Sequence, residues 1–244
     1  MIDADYTAGD HELRDNDAYA NAKYALTLRW LGEPGSPPRR LLNVGCGAGL
    51  FNQLAVEAGF VVEACEPDPD AHAAAVARGP VSVPIHLGGL FDAPLAPADI
   101  VVMHDVLEHI EDDHAAADRL AELVSPGGVA IVSVPALQKL FGLHDELLGH
   151  YRRYDRSSLR QVTEPRFAVA RMRYFGFTLI PVTLLLSRVL RRPYPAEAAG
   201  SPTLFGKTFA ALCRAESRVP TPLGTSLICE LRPLSSPNPE GSLR

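Results

Sequence analysis

Between residues 40 and 135, short apolar runs alternate with amphipathic segments of helical period, and this alternation restricts the fold more than any other feature. The runs, in chain order, are RLLNVGC, VVEACEP, the weaker VSVPIHLG, ADIVVMHDV and VAIVSVPA. Uninterrupted apolar strands separated by such helices are typical of a parallel sheet covered on both faces. Two later runs, RFAVARMRYFG and TSLICELRP, bring the number of strands to seven. The sequence therefore predicts an α/β fold with a doubly wound, seven-stranded, mostly parallel sheet.

Composition shifts divide the chain around this α/β region. The segment DAYANAKYALTLRWL has apolar residues at helical spacing, and GEPGSPPRR then interrupts the helix. We predict the following organisation: an N-terminal flap and helix at 1–36, one α/β domain at 37–235 with lid or substrate insertions at 137–156 and 176–222, and a flexible tail at 236–244.

The formal net charge of −6 argues against a general affinity for nucleic acid, because no surplus of cations is available to displace counterions. The four cysteines show no CxxC spacing, which favours reduced thiols. The acidic N-terminal stretch lacks an apolar core, so we expect no signal peptide and a cytoplasmic location. The apolar stretch FTLIPVTLLLSRVL is shorter than the roughly 20 residues that span a bilayer.

A cluster of glycines directly follows the first predicted strand, in LLNVGCGAGLF. Ligands of open parallel sheets bind beyond the carboxyl ends of the strands. The spacing of Gly45, Gly47 and Gly49 is G-x-G-x-G, and Leu50 stands where the dinucleotide fingerprint G-x-G-x-x-G requires its third glycine. Glu66 ends the second strand, where its carboxylate can accept both hydroxyls of a ribose. The pattern indicates a nucleoside ligand that is not a dinucleotide.

Six segments, in this order, resemble the class I S-adenosylmethionine-dependent methyltransferases: LLNVGCGAGLF, EPD, LGGLFDAP, ADIVVMHDVLEHIEDD, SPGGVAIVSVPA and HDELLGHYRRYDRSSL. The resemblance extends from about Tyr24 to Tyr174 and implies the Rossmann-like methyltransferase fold. It also implies S-adenosyl-L-methionine as cofactor and S-adenosyl-L-homocysteine as product. The last two segments are most similar to a subgroup of small-molecule methyltransferases that carries the HDE..GHYRRY segment.

The same resemblance implies which residues bind the cofactor. The glycine loop would line its methionine part, Glu66 would hold the ribose, and Gly89 and Leu90 would flank the adenine. The complete implied set is Gly45, Cys46, Gly47, Gly49, Glu66, Pro67, Asp68, Gly89, Leu90, Asp105, Val106 and His109.

Methyl transfer from a sulfonium is an in-line displacement in which positioning supplies much of the catalysis. An alcohol acceptor must also lose a proton, whereas a carboxylate or a neutral amine needs no base for attack. Histidines occur on both rims of the predicted pocket, and we consider His150 or His144 as the base, with His104 as a rival. The alternative for His104 is a partly buried side chain with a backbone partner.

The segment YRRY places two arginines beside two tyrosines, at Tyr151, Arg152, Arg153 and Tyr154. Guanidinium groups bind anions in bidentate fashion, so these four residues are candidates for substrate binding. The alternative is that the arginines connect the insertion to acidic residues such as those of HIEDD. Both interpretations stay open.

The late segment PVTLLLSRVLRR is predicted as a helix whose apolar face carries Val182, Leu185, Leu186, Val189 and Leu190. It can be a lid helix that packs on the domain, an apolar wall for the acceptor, or an element at a membrane interface. The net negative charge disfavours the last of these, so we expect no membrane contact.

Taken together, these features predict S-adenosylmethionine-dependent methylation of a small molecule. O-methylation in secondary metabolism, or of a sugar-containing or anionic compound, is the leading hypothesis. N- or C-methylation is an alternative, and a non-catalytic cofactor-binding partner subunit is an alternative of another class. His104, Asp105 and His109 could ligate a metal, but carboxylates do not cluster around them, and we expect no metal. A homodimer is compatible with the sequence.

Overall fold

The computed structural model describes residues 17–80, 82–190 and 203–234, and these residues form a seven-stranded sheet with helices on both faces. The strand order is β3-β2-β1-β4-β5-β7-β6. The strands are β1 Arg40–Val44, β2 Val61–Glu66, β3 Ile85–Leu87, β4 Ala98–His104, β5 Val124–Pro135, β6 Phe167–Phe175 and β7 Ser226–Pro233. Strands β1 to β5 are parallel, and β7 is antiparallel to both β5 and β6. The predicted α/β doubly wound fold is confirmed.

The helices connect the strands and shield the two faces of the sheet. They are α1 Ala18–Leu31, α2 Leu50–Glu57, α3 Pro69–Arg78, α4 Asp113–Leu123, α5 Leu143–Leu147, α6 Arg156–Thr163, α7 Ile180–Thr183 and α8 Leu204–Arg218. Alternate residues of β4 belong to different cores: Val101 and Met103 pack with α4 and α6, and Ile100 and Val102 pack with α1, α2 and α8. This alternation follows from the two-residue period of a strand buried on both sides.

Helix α1 is attached to the sheet at its N-terminal end. The Asp17 side chain caps the helix by accepting from the backbone N–H of Tyr19 and of Ala20. The Tyr19 hydroxyl bonds to the Thr225 hydroxyl (2.9 Å) and donates to the Ser226 hydroxyl (2.7 Å), where β7 begins. The helical part of the predicted flap is therefore packed onto the domain, and residues 1–16 lie outside the described residues.

Two elements differ from their predicted extents. The third strand has only three residues, and α4 ends at Leu123 while the SPGG turn becomes an irregular start of β5. Gly128 explains the second difference, because a Cβ at this position would lie 2.6 Å from the Asp99 carbonyl oxygen. The backbone of β5 thus approaches β4 too closely for any other side chain, and the strand register shifts between Ala98 and Ile100.

The late apolar segment is not one regular α-helix. Helix α7 passes into a π-helix at Leu184–Val189, and this change of period disrupts the predicted apolar stripe. The side chains of Val182, Leu185 and Leu190 are 42%, 51% and 49% exposed. Arg191 and Arg192 and the tail at 236–244 lie outside the described residues. Among the residues described here, no helix is both long and apolar enough to cross a membrane.

Candidate active site

The loop between β1 and α2 has a backbone that only glycine adopts easily. The φ angles of Gly45, Gly47 and Gly49 are +68°, +54° and +80°. A Cβ on Gly45 would lie 2.5 Å from a methyl group of Val106, so the loop also packs closely against the turn after β4. Burial, followed by the nearby Glu66 carboxylate, raises the pKa of the Cys46 thiol to about 12. Cys46 is therefore a neutral side chain in the loop.

The glycine loop forms one wall of a cleft at the carboxyl ends of β1 and β4. The cleft is lined by Tyr24, Asn43, Gly45, Cys46, Gly47, Ala48, Leu50, Phe51, His104 and Asp105. Asn43 is 2% exposed, and its amide oxygen has no hydrogen-bond partner among the described residues. A buried acceptor of this kind is suited to a donor group on a ligand, such as an ammonium.

The Glu66 carboxylate lies at the end of β2, beside the glycine loop, and the residue is 7% exposed. One of its oxygens accepts from the Gly47 backbone N–H (2.7 Å), and the other accepts from the Asp68 N–H (3.1 Å). A carboxylate has about four acceptor sites in all, so Glu66 can also accept hydrogen bonds from vicinal hydroxyls. Asp68 itself caps α3, where its carboxylate accepts from the Ala71 N–H (2.8 Å).

Gly89 and Leu90, which were predicted to flank the adenine, lie beyond β3 and close to Pro67, another predicted cofactor residue. A Cβ on Gly89 would be 3.9 Å from the Cβ of Pro67. The Gly89 N–H donates to the Asp92 carboxylate (2.7 Å), and Leu90 is 3% exposed in the adjoining core. The predicted cofactor residues from Gly45 to Asp105 thus follow the carboxyl edge of the sheet.

Asp105 occupies a strained position directly after β4. Its φ of +54° is left-handed, a conformation that aspartate tolerates better than most residues. Its carboxylate accepts from the Ser133 hydroxyl (3.0 Å) and forms an ion pair with Lys23 of α1. Burial alone would lower the pKa of Lys23, but the interactions with Asp105, Tyr19 and Tyr24 together outweigh burial, and the pKa is raised. Lys23, which is 3% exposed, fastens α1 over the cleft.

His104 is the base candidate that lines the cleft. Its Nε2 is 2.8 Å from the Thr27 hydroxyl, and its Nδ1 has no partner among the described residues. The ring packs against Tyr24 and Phe51, with centroid separations of 5.0 and 4.7 Å. Burial, and then the charge of Lys23, lower the pKa of His104 to about 3. Of the two interpretations of His104, a catalytic base or a partly buried side chain, the low pKa favours the second. Its hydrogen-bond partner is the Thr27 side chain and not the backbone atom that we expected.

The low pKa of His104 predicts a pH-dependent stability. The folded-state pKa is below the ordinary value of 6.5, so the unfolded chain binds a proton first and stability falls as pH drops from about 6.5 towards 3. Between about pH 7 and pH 5 this group should remove roughly 2 kcal/mol of folding free energy. The His104→Gln variant, which cannot titrate, should lack this part of the loss in urea unfolding. Equal pH dependence of the two proteins would refute the assignment.

A second polar group, which we call the polar cluster, consists of Glu108, His109, Asp145 and His150. Asp145 is fully buried and accepts from His150 Nδ1 (2.9 Å) and from Arg153 Nε (2.7 Å). Burial opposes ionisation, but these two hydrogen bonds and the charge of Arg153 lower the pKa of Asp145. The ionised Asp145 therefore fixes the orientation of the His150 ring and leaves Nε2 as its free nitrogen.

Glu108 lies on the other side of His150. The side chain is fully buried, neither carboxylate oxygen has a hydrogen-bond partner within the described ranges, and Oε1 is 4.0 Å from His150 Nε2. Burial, and next the charge of Asp105, raise the pKa of Glu108 well above its usual range. The His109 and His150 rings meet edge to face at 4.6 Å. His144 lies in α5, six residues before His150, and its carbonyl oxygen accepts from the Leu148 N–H (3.1 Å).

The four residues of YRRY have different environments. Arg152 pairs with Asp113 (2.7 Å) and donates to the Glu111 carbonyl oxygen (2.6 Å), which is the bridging interpretation of the sequence. The Tyr154 hydroxyl donates to the same Asp113 carboxylate, and Tyr154 is 1% exposed. Arg153 is engaged by Asp145. Tyr151 is 52% exposed, so it is the member of the group whose side chain is most available to an acceptor.

Sequence reasoning missed the contribution of α1 to the site. Lys23 and Thr27 lie on the same face of the helix as the buried Leu26 and Leu31, and a lysine in a buried stripe is a signal for a buried partner. The role of Asp145 was also missed, because its contact with His150 depends on the turn after α5 rather than on sequence adjacency.

The arrangement fits S-adenosylmethionine. It offers a glycine loop without side-chain obstruction, a buried carboxylate for ribose hydroxyls and an unpartnered amide oxygen at the methionine end. The protein has the Rossmann-like methyltransferase fold. This fold is indicated by the strand order of the sheet and by the cleft at the carboxyl ends of β1 and β4.

Residues 15–182 match the family described as "Methyltransferase domain", and the chain belongs to that family. Relatives include uncharacterized methyltransferases of Mycobacterium leprae, 31% identical over 164 residues, and of Mycobacterium tuberculosis, 32% identical over 139 residues. The first match covers 63% of this chain and 58% of the relative, and the second covers 54% of each. The chain thus spans little more than half the length of these relatives.

Solved structures share the fold at low sequence identity. A chain from the complex of the Haloferax volcanii Trm112 methyltransferase activator with a methyltransferase has a TM-score of 0.62 and 18% identity, with 93% of both chains covered. An S-adenosylmethionine-dependent methyltransferase from Mesorhizobium loti has a TM-score of 0.60 and 18% identity, with 89% of this chain and 99% of that chain covered. Geranyl diphosphate C-methyltransferase from Streptomyces coelicolor has a TM-score of 0.60 and 17% identity, over 88% and 79%.

Proposed function

We propose that this protein transfers a methyl group from S-adenosylmethionine to a small-molecule acceptor. The observation that carries the proposal is the buried Glu66 carboxylate 2.7 Å from the N–H of Gly47, at the edge of the cleft. Glu66 would hold the ribose, and the glycine loop would accommodate the methionine part. The cofactor supplies an activated methyl group, and the protein supplies orientation and exclusion of water.

The acceptor is proposed to be an alcohol, and the product an O-methyl ether. The polar cluster supports this choice, because Asp145 orients His150 as partners of a general base usually do. Glu108 follows the cleft-lining Asp105 by three residues, in the turn after β4, which supports a position of the polar cluster beside the proposed cofactor site. His150 is favoured over His104, whose pKa of about 3 makes it a weak base, and over His144. Tyr151 is proposed to contact the acceptor.

The test combines cofactor binding with turnover. Titration calorimetry with S-adenosylmethionine and S-adenosylhomocysteine should show cofactor binding. Incubation with a panel of alcohols, amines and carboxylates should then give a product heavier by one CH2 unit, because a methyl group replaces a proton. The His150→Ala variant should lower kcat for an alcohol by about 100-fold or more and leave cofactor affinity unchanged. His86→Ala, which removes a half-buried histidine paired with Glu63, is the matched control. Full turnover by His150→Ala would contradict the role proposed for His150.

N- or C-methylation remains the alternative chemistry, and NMR of the methylated product assigns the atom. A non-catalytic partner subunit is the alternative of another class, and the Haloferax volcanii neighbour, solved with an activator protein, gives a precedent for pairing. Tight cofactor binding without turnover across the panel would favour it. The segment HDELLGHYRRYDRSSL supports membership of the subgroup of small-molecule methyltransferases.

A homodimer is a separate proposal, and analytical ultracentrifugation would test it by measuring the mass of the protein in solution.

A further inference from the structure

We propose that Glu108, His109 and His150 form a binding site for a divalent transition-metal ion beside the cofactor cleft. Each residue offers one ligand atom, and these three atoms lie within 4.8 Å of one another. Glu108 and His109 belong to the 3-10 turn after β4, whereas His150 belongs to the insertion between β5 and β6. The three ligands therefore come together only in the folded protein. For this reason the sequence alone led us to expect no metal.

Glu108 supplies the first argument. Its side chain is fully buried, yet both carboxylate oxygens lack hydrogen-bond partners in the part of the chain that the structure describes. Buried polar groups are almost always satisfied, and a buried carboxylate is satisfied by a cation or by a proton. A metal ion between Glu108 and His150 Nε2, which are 4.0 Å apart, would provide a partner for both.

The environment of His150 supplies the second, independent argument. Histidines that bind metals commonly donate their other ring N–H to a carboxylate, which fixes the tautomer and the ring orientation. His150 Nδ1 donates to Asp145, and Asp145 is in turn held by Arg153 and by the Gly142 N–H (3.0 Å). This arrangement directs Nε2 towards Glu108.

The ligand set indicates the kind of ion. Two imidazoles and one carboxylate favour Zn²⁺ or Co²⁺ over Mg²⁺ and Ca²⁺, which prefer oxygen ligands. Bonds of about 2.1 Å in a tetrahedral site require ligand separations on the order of 3.4 Å, so the three side chains would close by about 1 Å. Three protein ligands leave one position for water or for an acceptor oxygen.

The role of the ion rests on the proposed function, whereas its binding does not. A hydroxyl bound to a divalent ion loses its proton more readily, so the ion would let an alcohol acceptor close to the cofactor release its proton to water. In that case His150 contributes to deprotonation as a metal ligand rather than by accepting the proton itself.

Co²⁺ is the probe for the test, because its visible absorption reports coordination without cofactor or acceptor. The full chain should bind one Co²⁺ per molecule with absorption bands typical of four or five ligands, and Zn²⁺ but not Mg²⁺ should displace it. The isosteric Glu108→Gln variant and His150→Ala should lower Co²⁺ affinity by about 100-fold or more, and Asp145→Asn by about 10- to 100-fold. His86→Ala should bind like the parent.

Circular dichroism on each variant separates loss of the site from loss of the fold. Absence of Co²⁺ bands in the parent, or bands of equal strength in folded Glu108→Gln and His150→Ala, would overturn the metal site. Such a result would leave cofactor binding and turnover, measured separately by calorimetry and by product mass, untouched. Conversely, a protein that binds Co²⁺ through these residues but not S-adenosylmethionine would refute the proposed function and not the metal site.

Discussion

The Glu66→Ala variant is expected to bind S-adenosylmethionine about 100-fold more weakly than the parent protein. Glu66 is buried at the end of β2, and its two oxygens face the glycine loop and the start of α3. Two hydrogen bonds from ribose hydroxyls to a carboxylate contribute about 1.5 kcal/mol each, and their sum of about 3 kcal/mol corresponds to roughly 100-fold in affinity. Titration calorimetry measures the difference directly.

Glu63 on the same strand is the matched control for Glu66. Its carboxylate pairs with Arg40 (3.3 Å) and His86 (3.0 Å), away from the glycine loop, so Glu63→Ala should bind the cofactor like the parent. Because Glu66 also accepts from Gly47, each variant must first show a native circular dichroism spectrum. If folded Glu66→Ala retained the parent affinity, the assignment of the ribose site would be wrong.

Among the substitutions considered for their effect on stability, removal of the Asp105 charge is expected to cause the largest loss. In Asp105→Asn, the ammonium of Lys23 would stay buried at 3% exposure without its counter-ion. An uncompensated buried charge costs about 3 kcal/mol or more, which corresponds to a fall in Tm of about 10 °C for a chain of this size. Lys23→Met should cost less, because the Asp105 side chain is 41% exposed and retains the Ser133 hydroxyl.

The double variant tests the pair itself. Lys23→Met with Asp105→Asn should be more stable than Asp105→Asn alone, since no buried charge is left, and the coupling energy should reach about 2 kcal/mol. The exposed Arg160–Glu164 pair at the C-terminal end of α6 is the control, and Arg160→Ala should change stability by about 0.5 kcal/mol or less. Strictly additive effects in the Lys23 and Asp105 cycle would show that the two residues do not stabilise each other.

The sheet and the glycine loop after β1 were predictable because their signals are local. Strands of continuous apolar residues are stable only in a sheet that is buried on both faces. The helix caps Asp17 and Asp68 accept hydrogen bonds from backbone N–H groups within three residues of their own position. The glycine loop is local too, since the positive φ angles of Gly45, Gly47 and Gly49 dictate those residues. The α/β fold follows from these features, whereas the methyltransferase family was indicated by the resemblance of six segments to that family.

The remaining contacts depend on distances between segments that the sequence does not encode locally. Lys23 meets Asp105 across 82 positions of the chain, and Arg152 reaches the carbonyl of Glu111 across 41. The sharp shortening of β3 and the π-helix after α7 likewise reflect packing rather than propensity. Residue propensity and spacing therefore predict the helices and strands. The ion pairs between charged residues can be assigned only when the tertiary structure is known.

The position of β7 has a consequence for synthesis of the protein on the ribosome. Ser226–Pro233 enters between β5 and β6, although it is made about fifty residues after β6 ends, and β6 has no other neighbour within the described sheet. A nascent chain that has completed only β6 therefore exposes one apolar edge on β5 and an unpaired strand beside it. Such edges favour aggregation, so premature termination or ribosome stalling before β7 emerges would produce a fragment that chaperones must retain.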